Sequence, residues 1–379
     1  MRPQKTLQFA DAIMYGENRL LFANWEYNGV YSFDMITEEV TMICQMPFAA
    51  GREFDQYQVK NIIQKDNTIF FFMYEGICVF DFDKETAQMS TYSEIEEESI
   101  CKMSLAIENH DNVWCIPENM VGKLYSFDLN KKCFERHINW EKQITKYDDN
   151  KEYMLSSTPF IKDGEIWTCI IGTSKILRYH LEKEEMSVFE IPEIHISNLY
   201  ESNDILWITL DNQIGLFRYE IKTGSSEIFL YENRNMDERP FSKILEFEEY
   251  IILLPEFYDK ILFFHKEKKY FIQIEEDSKR LGSLFLNNKM YLFPWGNNKL
   301  RVIDLNNLQI DQLVQINPPR EYYEYLLKDK LRKPGVAEES EISLAEFVSG
   351  VVCSKENVKN GEEEAGSKIF KEIKRMVGI

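Results

Sequence analysis

The sequence predicts an all-β fold, a seven-bladed β-propeller of four-stranded antiparallel blades, with a C-terminal α-helical tail. Three observations predict it. A six-residue block recurs seven times, a polar turn marker precedes each block, and the hydropathy period changes from strand-like to helix-like after residue 316.

The blocks are GVYSFD (29–34), GICVFD (76–81), KLYSFD (123–128), KILRYH (175–180), GLFRYE (215–220), KILFFH (260–265) and KLRVID (299–304). Each runs Gly or Lys, aliphatic, two variable positions, aromatic or Ile, then a polar residue. Their ends are spaced by 47, 47, 52, 40, 45 and 39 residues. Asn18, Asn112, Gly164, Asp204, Glu249 and Asn288 each stand 16 residues before a block's end, and Asn67 stands 14 before. An apolar run such as RLLF, IFFF, VWCI or YIIL follows each marker. Polar turn residues flanked by β-rich runs read as hairpins. Each repeat therefore reads as four strands: a loose apolar segment, the run after the marker, the block, and a last strand such as VTMICQ or IDQLVQ. Runs apolar on both faces suit a sheet packed between two others. The Asp that ends most blocks reads as a turn residue whose carboxylate accepts backbone N–H groups. The seventh repeat ends with its own fourth strand, so ring closure is expected to rest on side-chain packing and on the tail, unless residues 4–9 pair with the last blade.

The domain organisation follows: 1–316 as the propeller and 317–379 as a helical extension. The tail reads as three helical segments, REYYEYLLKDKLRK, SLAEFVSGVV and a last one with Ile369, Phe370, Ile373, Met376 and Val377 on one face. Ser343 and Glu346 form a capping box for the second. Such a helix packs on its own propeller, docks a partner or pairs two copies, so a homo-oligomer through the C-terminal helices is one expectation.

Composition limits the partners. Lys plus Arg number 44 and Asp plus Glu 64, for a net charge of −20. That sign argues against nucleic acid and against anionic membrane. No apolar run is long enough to span a bilayer. Seven scattered cysteines without a CxxC pair read as buried thiols in a reducing compartment, and the cytoplasm is the expected location.

The seven blocks resemble β-propeller repeat proteins of the kelch-like and WD40-like kind over about residues 10–316. The kelch double Gly and the WD40 Gly-His and Trp-Asp pairs are absent, so the resemblance implies a fold and no particular activity.

In a propeller the loops joining strands two and three share a face with the inter-blade loops. Here those loops are aromatic and polar: NWEYNG, MYEG, IPENMVGK, PEFYDK and PWGNNK. The candidate ligand-binding residues are Trp25, Tyr27, Arg52, Tyr74, Glu118, Asn119, Glu256, Tyr258, Trp295 and Asn297. Flat rings beside amides and carboxylates suit a sugar, and equally a peptide loop. The same aromatics also suit packing between blades. Glu118 and Glu256 hold like positions in different turns and are the pair available for acid–base work or a divalent cation. No metal-binding or phosphate-binding motif is present, and no cofactor or metal is expected. His180 and His265 hold the Asp position of the block and read as turn residues, whereas His195 begins an inner strand. The leading expectation is a non-catalytic binding or scaffold propeller for a protein or glycan partner. The alternative is a lyase or hydrolase acting on a sugar or small metabolite, with or without a metal.

Overall fold

The computed structural model describes residues 7, 9, 11–23, 29–45, 59–73, 76–81, 86–91, 103–147, 153–276, 279–295, 299–316 and 319. They form seven four-stranded antiparallel sheets, each built from four consecutive strands. The blades span 12–45, 59–91, 103–136, 160–190, 196–235, 241–275 and 279–315. Each block is the third strand of its blade, so the repeat period is the blade period.

The local chemistry explains the hairpins. In blades 2 to 7 the first turn residue, Asp66, His110, Asp163, Asn203, Glu248 or Asn287, has φ between 49° and 58°. Two-residue turns of this hand match the twist of the strands they join, and Asn and Asp tolerate the left-handed region best. The marker Asn112 opens its strand rather than sitting in the turn, where it pairs with Asp128. The block-ending residues cap the next turn as expected. Asp34 accepts the N–H groups of Ile36 (2.9 Å) and Thr37 (3.0 Å), and Asp128 those of Asn130 (2.9 Å) and Lys131 (2.8 Å). His180 and His265 do the same work through Nδ1, each accepting a backbone N–H at 3.3 Å.

Seven apolar clusters fill the seven blade interfaces. The second and third strands are buried on both faces because each lies between two neighbouring sheets. The ring closes between blades 7 and 1 by packing, with no strand exchanged among the described residues. Leu7 and Phe9 enter that interface ahead of the first strand. Phe9 stacks on Phe22 (4.0 Å between centroids) and meets Phe293 at 4.8 Å.

Two expectations change. The repeat pattern offers only strands and turns up to residue 316, yet the connection between blades 3 and 4 carries a short helix, Ile138–Ile144. Trp140 and Ile144, one turn apart, sink into the interface of blades 3 and 4, and the Trp140 ring meets Tyr179 edge-on at 5.3 Å. This is the one helix among the described residues, and the expected helical tail, 317–379, lies outside them except for Pro319. The second change concerns the thiols. Cys78, Cys115 and Cys169 are buried and form no disulfide, but Cys133 is exposed on an outer strand. Among the described residues no helix is long and apolar enough to cross a membrane.

Candidate functional site

The inner strands line the axis, and one register position on them decides what the axis is made of. Counting five residues back from the first turn residue, Gly16 in blade 1 and those named above in blades 2 to 7, gives Asp11, Asn61, Leu105, Thr158, Asn198, Lys243 and Gly282. Five of the seven are polar, and each of the five bonds the next blade. The Asp11 carboxylate accepts the Ile62 N–H (2.8 Å), and Asn61 Oδ1 accepts the Ala106 N–H (2.8 Å). Thr158 Oγ1 donates to the Leu199 carbonyl (2.9 Å) and accepts its N–H (3.1 Å). Asn198 Nδ2 donates to the Phe241 carbonyl (2.9 Å), and Lys243 Nζ to Ser283 Oγ (3.4 Å). A belt of hydrogen bonds thus joins the blades around the axis. Burial pushes the Asp11 carboxyl up to about 6, and the Lys243 ammonium opposes that rise. Burial also pulls Lys243 below the usual lysine range. The belt lay in the sequence as a polar residue at fixed distance before five of the seven hairpin turns, outside the recurring six-residue block.

Near blades 4 to 6 the belt thickens into a network. Asn198 is fully buried and accepts from Ser157 Oγ (3.1 Å) as well as donating to Phe241. Ser157 of blade 4 also lies 2.9 Å from the Ser242 carbonyl of blade 6, two blades away. The axis is therefore narrow at this end.

The loop face collects the predicted site residues unevenly. Trp25, Tyr27, Arg52, Tyr74 and Asn297 lie outside the described residues. Trp295 closes the second strand of blade 7 opposite Lys279, and its side chain is outside the description. Glu118 and Asn119 are half-buried in the turn of blade 3. An isolated bridge pairs Asn119 with Met154, held by the Leu155 N–H donating to the Glu118 carbonyl (2.9 Å). Val121 N–H donates to Asn119 Oδ1 (3.2 Å). Val121 and Met154 stay 51% and 39% exposed, an apolar pair in this polar setting.

Glu256 and Tyr258 differ from the expectation of open ligand contacts. Glu256 is 2% exposed and ion-pairs with Arg239 Nη2 at 3.0 Å. Tyr258 is 4% exposed, packs edge-on against Phe241, and donates its hydroxyl to Glu232 at 2.5 Å. Burial and that bond push the Tyr258 phenol well up. Both side chains shape the loops of blade 6 rather than present themselves. Glu118 and Glu256 stand three blades apart, so the fold does not pair them. Among the described residues no three His, Cys, Asp or Glu side chains gather as a metal site.

A different group gathers beside them. His195 is exposed and its Nδ1 lies 2.8 Å from the Gly172 carbonyl. A carbonyl only accepts, so Nδ1 carries the hydrogen and Nε2 is left as an acceptor. The Asp211 N–H donates to the His195 carbonyl (2.9 Å), which sets the two residues side by side. Gly172 has φ of 78°, and a Cβ there would stand 3.4 Å from Asp211 Oδ2. Burial raises the Asp211 carboxyl, and the Arg239 charge pulls it back only in part. The neighbouring Cys169 thiol is pushed up to about 12 by burial, so it is no nucleophile.

No family model matches the chain, and no curated protein matches it. Solved structures do. A streptogramin B lyase shares 13% identity at a TM-score of 0.52, covering 69% of this chain and 84% of the lyase. The chain is a seven-bladed β-propeller. Dihydro-heme d1 dehydrogenase NirN, solved in complex with DHE, aligns at a TM-score of 0.53 and 10% identity, over 83% of this chain and 68% of NirN. A computationally designed protein, Ika8, aligns at 0.53 and 10%, over 82% of this chain and 88% of Ika8. Enzymes and a designed scaffold share the architecture, so the likeness speaks for fold alone.

Proposed function

We propose that this propeller is a non-catalytic binding module that recognises a partner on the face made by the strand 2–3 turns and inter-blade loops. One observation carries the reading: Val121 and Met154 are exposed on that face, beside the backbone bridge at Asn119. Large apolar side chains held in the open and rimmed by polar groups favour a protein partner over a glycan at this spot. The aromatic loops of blades 1, 2 and 7 extend the same face in the sequence. The test is Val121→Asp with Met154→Asp, both in loops. A partner that co-purifies with the full chain is lost by this double variant while the thermal midpoint stays unchanged. A partner retained at the wild-type level refutes the assignment.

A further inference from the structure

Loops of the binding face set Gly172, His195 and Asp211 side by side, and Arg239, in the loop ahead of blade 6, lies near enough for its charge to act on Asp211. Their side chains leave hydrogen-bonding capacity unused. Arg239 is partly buried, and its Nη2 is taken by Glu256. Its Nε and Nη1 donors have no partner among the described residues. The Asp211 carboxylate is half-buried and accepts no hydrogen bond there either, although the Arg239 charge acts on it. His195 Nδ1 is fixed on Gly172, so Nε2 is an unused acceptor in the open. These groups keep contact with water, and a neighbouring set of partly buried groups with unused donors and acceptors is a place where a ligand's polar atoms replace that water.

The composition of the set selects the ligand. It holds a carboxylate acceptor, an imidazole acceptor and two guanidinium donors. An anion meets the Asp211 carboxylate, and a cation meets Arg239. A hydroxyl donates and accepts at once, so neighbouring hydroxyls answer all three groups without net charge. We infer that His195, Asp211 and Arg239 form a subsite for a neutral saccharide, separate from the Val121–Met154 patch. Asp211 and His195 accept from ring hydroxyls, and Arg239 donates to their oxygens. Gly172 holds the geometry, because its carbonyl orients the imidazole and its missing Cβ leaves room for the carboxylate. This inference shares with the proposed function only the choice of face.

The test titrates the full chain with glucose, galactose, mannose and N-acetylglucosamine, and with glycine as a zwitterion, by calorimetry. At least one sugar is expected to bind. Asp211→Asn and His195→Ala are each expected to weaken it about tenfold or more with an unchanged thermal midpoint. Arg239→Lys gives the same loss while keeping the buried charge beside Glu256. Absence of binding by all four sugars overturns the inference. So does binding that both Asp211→Asn and His195→Ala leave intact, or glycine binding that depends on these residues. Loss of the co-purified partner in the Val121/Met154 variant alone, with sugar binding retained, separates the two sites.

Discussion

Replacing Asn198 by Ala tests whether the axial network holds neighbouring blades together. Asn198 is fully buried on the inner strand of blade 5. Its Nδ2 donates to the Phe241 carbonyl at 2.9 Å and lies 3.3 Å from Thr209 Oγ1, and its Oδ1 accepts from Ser157 at 3.1 Å. Ala removes all three contacts. The two hydroxyls keep other partners, since Thr209 Oγ1 still accepts the residue 198 N–H (3.1 Å) and Ser157 still reaches the Ser242 carbonyl. Their loss is a net hydrogen bond each, or about 1 kcal/mol. The Phe241 carbonyl loses its side-chain partner across the blade boundary, which costs about 1–3 kcal/mol if nothing replaces it. The expected destabilisation is therefore about 3–5 kcal/mol. Asn198→Asp is worse despite its equal size, because a carboxylate oxygen then faces the Phe241 carbonyl where a donor stood. Urea unfolding followed by tryptophan fluorescence reads both effects. A change below about 1 kcal/mol for Asn198→Ala refutes the claim that this residue couples three blades.

Trp140→Ala empties the socket between the short helix and blades 3 and 4, and is expected to cost about 3–5 kcal/mol, with hydrogen exchange accelerated across 138–144. Protection unchanged in that segment would show that the helix does not depend on its buried anchor. Asp11 gives a pH signature. Its folded value of about 6 lies above the ordinary 3.8, so the folded state holds this proton more tightly than the unfolded chain does. The Asp11 contribution thus falls as pH rises from about 3.8 to about 6, by about 3 kcal/mol in all, and the loss is complete above that range. Asp11→Asn is expected to flatten this slope in unfolding measured from pH 4 to 7. An Asp11 carboxyl signal that titrates near 4 by NMR contradicts it.

Much of this fold is legible in the residues because a propeller repeats one solution. Each blade needs a hairpin turn, an apolar strand and a capped second turn, and each need selects a residue type at a set distance. Asp34, Asp128 and Asp304 stand where a turn needs an acceptor, and His180 and His265 show that the position asks for an acceptor rather than for Asp. The helix at Ile138–Ile144 was not legible, because seven residues are too few for a period and its stability comes from where Trp140 lands.

The site divides along the same line. Residue types and loop positions by themselves named candidate residues on one face. Exposure depends on neighbours from other blades, and that only the tertiary structure decided. Glu256 and Tyr258 look like Glu118 and Asn119 along the chain. Arg239 from the preceding loop covers Glu256, and Glu232 with Phe241 encloses Tyr258. His195 and Asp211 are 16 residues apart and carry no motif. They meet because the first two strands of blade 5 pair Ile196 with Leu210, which sets His195 beside Asp211, whereas Gly172 of blade 4 reaches them only across a blade boundary, and proximity of that kind has no period in the sequence.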